Sequence, residues 1–177
     1  MAKNQEIERK FFLPNHVPEE LVSYKSASRK CEIWQGYLPA HNGELRLRKT
    51  VWHEDARTIT YTMTKKSEGT LVREEEEIKL PFSMFEDLKH LARDNCLEKV
   101  RYSITYGKLT LELDIYRDAL AGLRILECEF PSVAVAQLFI LPDWATGAIE
   151  VTDDKRFKNK NLAKPYVTMG NLRLVSV

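Results

Sequence analysis

The chain has 177 residues, 44% of them hydrophobic, and its 27 lysines and arginines are balanced by 26 aspartates and glutamates. This length predicts a single domain over residues 1–177. The balanced charge argues against a nucleic-acid-binding protein, which usually has a basic excess, and no apolar run reaches the length of a membrane span. Cys31, Cys96 and Cys128 are far apart without metal-ligand spacing, which indicates reduced thiols in a cytoplasmic protein.

Residues 6–10, close to the start of the chain, predict a β-strand with one charged face. Side chains alternate along a strand, so Glu6, Glu8 and Lys10 point one way and Ile7 points the other. Two carboxylates and an ammonium in a row would suit a site that holds divalent cations and an anion together. A solvated face of an ordinary antiparallel sheet is the alternative, and recurrence of the pattern in later strands favours the site.

The next predicted strands cover residues 31–38 and 44–48. In the second of these, Leu45 and Leu47 occupy one face, and the charged residues Arg46 and Arg48 occupy the other together with a glutamate. Neighbouring guanidinium groups suit a phosphate chain, because each offers a planar fork of donors and stays charged.

Two more strands are predicted at residues 58–66 and 71–80. By alternation Lys66 joins the polar face of the first strand and Lys65 the opposite face, although sequence alone leaves open which lysine enters a site. The second strand carries a run of glutamates, and one of its faces holds Arg73, Glu75 and Glu77.

Two stretches show helical periodicity. Residues 81–95 predict a helix capped by Ser83, with Glu86 three residues later and an apolar stripe for packing at Phe82, Phe85, Leu88 and Leu91. Residues 132–141 predict a second helix that packs through Val133, Leu138 and Phe139.

The last three strong strands are predicted at residues 97–106, 109–116 and 123–130. Their charged faces hold Lys99 and Arg101, then Glu112 and Asp114, then Glu127 and Glu129. Basic and acidic residues are grouped by strand, which favours a closed barrel with a polar lumen over an open sheet. The predicted fold is therefore α+β: an eight-stranded antiparallel β-barrel with helices packed outside.

These motifs resemble the CYTH superfamily, the triphosphate tunnel metalloenzymes. The ExExK motif of that family stands here at residues 6–10. Matching motifs follow in the expected order over nearly the whole chain: Gln35-Gly36-Tyr37-Leu38, Arg46-Leu47-Arg48, Thr64-Lys65-Lys66, Arg73-Glu74-Glu75-Glu76-Glu77, Glu98-Lys99-Val100-Arg101-Tyr102, Glu112-Leu113-Asp114, Glu127-Cys128-Glu129 and Glu150-Val151-Thr152-Asp153.

The resemblance implies a tunnel that binds a triphosphate with Mg²⁺ or Mn²⁺, and it implies roles for individual residues. Catalysis is expected to depend on Glu6, Glu8, Lys10 and Tyr37, with Tyr37 tuning Lys10 by a hydrogen bond. The expected metal ligands are Glu6, Glu8, Asp114, Glu127 and Glu129. The triphosphate is expected to contact Lys10, Arg46, Arg48, Lys66, Arg73, Lys99 and Arg101, while Glu75, Glu77 and Glu112 are lumen positions without a defined role.

Three functions agree with the resemblance. Hydrolysis of inorganic triphosphate to pyrophosphate and phosphate is favoured, because the first two motifs resemble those of bacterial inorganic triphosphatases. Organic triphosphate chemistry is the alternative, as a nucleotide or thiamine triphosphatase or a class IV adenylate cyclase. A polyphosphate-binding module without turnover is the third. The resemblance is also compatible with a homodimer.

Overall fold

Alternation of apolar and charged residues builds nine antiparallel strands in the part of the chain that the computed structural model describes, residues 4–15, 17–22, 29–53, 58–68 and 71–172. The strands are β1 (Asn4–Phe12), β2 (Arg29–Leu38), β3 (Glu44–Trp52), β4 (Thr58–Lys66), β5 (Val72–Lys79), β6 (Cys96–Tyr106), β7 (Leu109–Tyr116), β8 (Arg124–Glu129) and β9 (Ile149–Glu150).

Eight of these strands close into a ring. They pair in the order β5-β4-β3-β2-β6-β7-β8-β1, and β1 also pairs with β5. Residues 4–7 of β1 pair with β5, and residues 8–12 pair with β8. The predicted eight-stranded antiparallel barrel is therefore confirmed. The two-residue β9 is an addition, which pairs with β1 beyond the part that β5 covers.

The apolar faces of the strands point outward, where short helices and the C-terminal segment cover them. The helices are α1 (Glu19–Val22), α2 (Phe82–Lys89), α3 (Val133–Leu138) and α4 (Asn159–Leu162). Three clusters join strand residues to covering residues: Phe11 and Leu126 to Phe139, Phe12 and Ile125 to Leu162, and Leu47 to Phe85. No helix in the described ranges has the length and apolar character needed to cross a membrane.

The helix predicted over residues 81–95 is shorter, and its predicted cap was wrong. α2 begins at Phe82, with the extended residue Pro81 at its N-cap and no side-chain capping bond, so Ser83 lies inside the helix. A 3₁₀ turn over His90–Ala92 follows α2. Because that turn changes the angular spacing of side chains, Leu91 turns outward and is 51% exposed. Phe82, the first residue of the helix, is 61% exposed.

The second predicted helix is also shorter, and two of its predicted packing residues were wrong. α3 ends at Leu138 because Phe139 adopts an extended conformation. Leu138 is 81% exposed and Val133 is 37% exposed, while Ala136 is buried. Of the three predicted contacts, the ring of Phe139 packs against the core cluster, at 5.1 Å from the Phe130 ring.

Candidate active site

The interior of the barrel contains a cavity of about 240 Å³ whose lining is almost entirely charged. Six cations and eight glutamates among the described residues surround it, so the lining suits a ligand that brings both negative and positive charge. The predicted residues that line it are Glu6, Glu8, Lys10, Tyr37, Arg46, Arg48, Lys66, Glu75, Glu77, Arg101, Glu112, Glu127 and Glu129.

Lys66, rather than Lys65, faces the tunnel. Its Nζ lies 2.6 and 2.8 Å from the two carboxylate oxygens of Glu6 and 2.8 Å from Oε2 of Glu75. Lys65 is exposed on the outer face of β4. Alternation along the strand therefore predicts the correct lysine.

Lys10 bridges two carboxylates inside the tunnel. Its Nζ lies 2.5 Å from Oε1 of Glu8 and also contacts Oε1 of Glu127. Burial lowers the pKa of Lys10, but the carboxylates of Glu127 and Glu8 outweigh burial and hold that pKa above its ordinary value. Burial opposes the ionisation of Glu127 as well, yet Lys10 and two neighbouring cations hold its pKa well below the usual range. Lys10 and Glu127 are therefore both charged at neutral pH.

Tyr37 lines the cavity, but its observed partner is not Lys10. The hydroxyl of Tyr37 accepts a hydrogen bond of 2.8 Å from Nε2 of Gln35. Burial, followed by the carboxylate of Glu44, raises the pKa of Tyr37, so the phenol stays neutral. Tyr37 is thus a wall of the cavity whose orientation is fixed by the neighbouring β2 residue.

Glu6, Glu8 and Glu129 bring three carboxylates together, with one oxygen from each within 4.8 Å of the others. Hard oxygen donors of this kind fit Mg²⁺ or Mn²⁺. Glu6 and Glu8 already accept hydrogen bonds from lysines, but each carboxylate keeps further lone pairs for a metal. Burial raises the pKa of Glu8, although Lys10 opposes this, and partial desolvation together with Glu112 and Glu6 raises the pKa of Glu129 to about 7.

If Glu129 is a metal ligand, as the sequence predicts, its raised pKa means that metal binding weakens in mild acid. Below about pH 7 the Glu129 carboxyl is mostly protonated, so a metal must displace a proton to bind it. The affinity for Mn²⁺ is expected to fall about tenfold between pH 8 and pH 6. Calorimetric titration of Mn²⁺ without substrate measures this change. A Glu129→Gln variant should bind Mn²⁺ more weakly with a flatter pH dependence, and an equally steep dependence in that variant would contradict the predicted role of Glu129 as a ligand.

The guanidinium groups of Arg46 and Arg48 are only weakly satisfied by the protein. Arg46 donates to Oγ1 of Thr64 at 3.0 Å, and its ion pairs with Glu75 and Glu77 are long, at 3.7 Å. Within the described residues Arg48 has no hydrogen bond or ion pair, and its buried Nε is unpartnered.

Burial and repulsion from nearby arginines lower the pKa of Arg48 to about 10. Leaving a cation unpaired inside a protein is costly. An anion bound beside Arg48 would remove that cost.

Lys99 and Asp114 do not line the cavity, so the structure does not bring them to the positions expected of a phosphate-binding lysine and a metal ligand. Both are at most 1% exposed, and they contact each other. Both oxygens of Asp114 also accept hydrogen bonds of 2.7 Å from Arg101, which reaches Glu127 at 2.5 Å and contacts Glu112. This buried pair therefore orients Arg101, which does line the cavity.

Some lining residues were not predicted. Thr152, Lys158 and Asn159 reach the cavity from the C-terminal part of the chain. The hydroxyl of Tyr116 in β7 donates to Oδ1 of Asn159, and Lys160 donates 2.8 Å to the carbonyl oxygen of Gly43 in the β2–β3 turn. No local periodicity marks these residues, because contacts distant in sequence place them. The side chain of Arg73 falls outside the described residues, although its backbone pairs with Glu6.

Comparison with known proteins gives consistent relatives along almost the whole chain. The inorganic triphosphatase of Nitrosomonas europaea is 41% identical over 164 residues, which cover 89% of this chain and 96% of the relative. The inorganic triphosphatase of Acetivibrio thermocellus is 30% identical and covers 92% of this chain and 96% of its own. No model of a protein family matches the chain.

Solved structures share the fold. The crystal structure of an inorganic triphosphatase superposes with a TM-score of 0.60 at 34% identity, covering 95% of this chain and 98% of the other. A putative adenylyl cyclase from Hippeastrum, described as having a dominant triphosphatase activity, has a TM-score of 0.54 at 17% identity, covering 75% and 82% of the two chains. At that identity only the fold is comparable.

Proposed function

The chain belongs to the CYTH superfamily of triphosphate tunnel metalloenzymes, and we propose that its tunnel hydrolyses inorganic triphosphate to pyrophosphate and phosphate with Mg²⁺ or Mn²⁺ bound. One observation carries the proposal. The same small cavity is lined by the unpaired guanidinium of Arg48 and by the cluster of three carboxylates from Glu6, Glu8 and Glu129. A polyphosphate accompanied by a divalent cation satisfies both.

The cations of the tunnel hold the phosphate oxygens. Arg46 and Arg48 lie two residues apart on one face of β3, where their planar forks can each bind two oxygens of neighbouring phosphates. Arg101 keeps its orientation through Asp114, so binding does not have to immobilise it. Fixed charges of this kind stabilise the negative charge that spreads over a phosphoryl group during in-line displacement.

Glu6, Glu8 and Glu129 would hold the metal ion. When bound, the ion supplies Lewis-acid stabilisation of the transferring phosphoryl group. The described residues of the lining include no serine, cysteine or histidine, and the hydroxyl of Thr152 is engaged in a hydrogen bond to Glu150. Such a lining supports direct attack by water on a terminal phosphorus. The bond from that phosphorus to the bridging oxygen breaks, and pyrophosphate leaves.

The alternative organic triphosphates suit this cavity less well. A nucleoside or thiamine group needs an apolar or stacking surface beside the phosphates, but Tyr37 is the single aromatic residue in the part of the lining that the structure describes. Inorganic triphosphate needs no such surface.

The deciding experiment is steady-state release of phosphate from inorganic triphosphate, ATP and thiamine triphosphate, each with Mg²⁺ and then with Mn²⁺. We expect a strong preference for inorganic triphosphate. Cyclic AMP and pyrophosphate from ATP would instead identify a cyclase. Binding of triphosphate without turnover of any substrate would identify a polyphosphate-binding module and contradict the proposal.

We further propose that the protein acts in the cytoplasm, because Cys31, Cys96 and Cys128 are all free thiols. The absence of nucleic-acid and membrane partners stays a prediction from composition, and a homodimer stays a prediction from the family resemblance.

A further inference from the structure

The segment Glu150-Val151-Thr152 matches a family motif, yet only Thr152 of these three residues lines the tunnel. The segment contacts Arg9, which lies between Glu8 and Lys10 in sequence but points away from the tunnel. Nε and Nη2 of Arg9 form a fork on Glu150, donating to Oε1 at 2.8 Å and to Oε2 at 2.6 Å.

The remaining donor of Arg9 is occupied as well. Nη1 donates to the carbonyl oxygen of Ala136 at 2.8 Å, and the guanidinium carbon lies 5.0 Å from the centroid of the Phe11 ring. The Arg9 side chain is 18% exposed. An ordinary surface ion pair contributes little because both partners stay hydrated and mobile, but this guanidinium is packed and held on three sides.

Thr152 connects Glu150 to strand β1 through two hydrogen bonds. Its hydroxyl donates to Oε1 of Glu150 at 2.8 Å and accepts a hydrogen bond of 3.1 Å from the backbone N–H of Lys10. The backbone N–H of Val151 donates to the carbonyl oxygen of Lys10 at 2.9 Å. Both backbone groups of Lys10 are therefore fixed by the segment that Arg9 clamps.

We propose that Arg9, Glu150 and Thr152 act as positioning residues that hold Lys10 where its ammonium meets the triphosphate. This inference rests on the proposed function. In the described part of the chain, β1 pairs with β5 over residues 4–7, and at Lys10 the segment carrying β9 takes the place of β5 as the neighbour of β1. Without the clamp, Lys10 would lose its support on that side of the strand.

The test uses Glu150→Gln, which keeps the shape of the side chain and removes the charge that grips Arg9. We expect the KM for inorganic triphosphate to rise about fivefold with kcat within about twofold, since loss of roughly one hydrogen bond at the lysine weakens binding by that factor. Arg9→Met should act in the same direction, and Arg9→Lys should recover part of the affinity. Arg117→Met, which removes the surface ion pair with Glu32, is the matched control and should leave KM unchanged.

A second readout needs no turnover. Hydrogen exchange of the Lys10 amide, measured by NMR without substrate, should become about tenfold faster in Glu150→Gln, because the acceptor Thr152 is less firmly held. Unchanged KM in Glu150→Gln and Arg9→Met would overturn the inference, even with faster exchange. If the wild-type protein neither hydrolyses nor binds triphosphate, the proposed function fails by itself, and unchanged exchange in Glu150→Gln would then overturn the positioning role.

Discussion

Replacement of Glu8 by glutamine is expected to lower kcat for inorganic triphosphate about a thousandfold, a loss typical of removing a preorganised electrostatic group from an active site. Glutamine keeps the size of the side chain but removes one of the three clustered carboxylates, so the proposed metal site loses one negative ligand. Lys10 keeps its contact with Glu127, so the lysine should stay in place. Triphosphate affinity is therefore expected to change by less than about tenfold.

Phosphate release with Mn²⁺ measures the loss of turnover in Glu8→Gln, and calorimetry with triphosphate measures the binding that should remain. Glu76→Gln is a matched control, because Glu76 is exposed on the outside of β5 while Glu75 and Glu77 of the same strand line the tunnel. That control should behave as wild type. A Glu8→Gln enzyme that kept a tenth of the wild-type kcat would show that Glu8 is not a ligand of the catalytic metal.

The strands of the barrel could be predicted because their two faces differ in chemistry. β4 and β7 have the predicted bounds, and the alternation that separates Lys65 from Lys66 is the same alternation that the structure shows. A polar lumen and an apolar exterior impose a period of two on every strand, which is a strong local signal. The periodicity of the helices is a weaker signal that located α2 and α3 but not their ends, since both helices are short and residues at their ends, such as Leu138, remain exposed.

The sequence predicts which face of a strand each site residue occupies, but not how deeply its side chain is buried in the barrel. Lys99 and Arg101 alternate identically on β6, and yet Lys99 is enclosed beneath the cavity while Arg101 lines it. The same difference separates Asp114 from Glu112 on β7. Depth depends on how each strand is tilted in the closed barrel, which a single strand's sequence does not encode. Lys158 and Asn159 depend on packing of the C-terminal segment and are equally invisible to periodicity.

Replacement of Arg48 by alanine is expected to lower kcat/KM for inorganic triphosphate by a factor of about a hundred to a thousand without destabilising the fold. Arg48 is a half-buried cation that forms no hydrogen bond or ion pair with the described residues, so removing it deletes no observed contact of that kind. The temperature of unfolding should stay constant or rise. Arg48→Lys should retain the charge but lose the planar fork, and we expect an intermediate kcat/KM.

Lys49→Ala tests the same strand on its outer face and should leave kcat/KM unchanged. The comparison of thermal unfolding with and without triphosphate then separates two roles of Arg48. If the guanidinium binds triphosphate, the ligand raises the unfolding temperature of the wild-type protein and raises that of Arg48→Ala much less. If Arg48→Ala instead unfolds at a clearly lower temperature without ligand, the arginine supports the barrel itself. The absence of a protein partner for Arg48 would then no longer indicate an anion site.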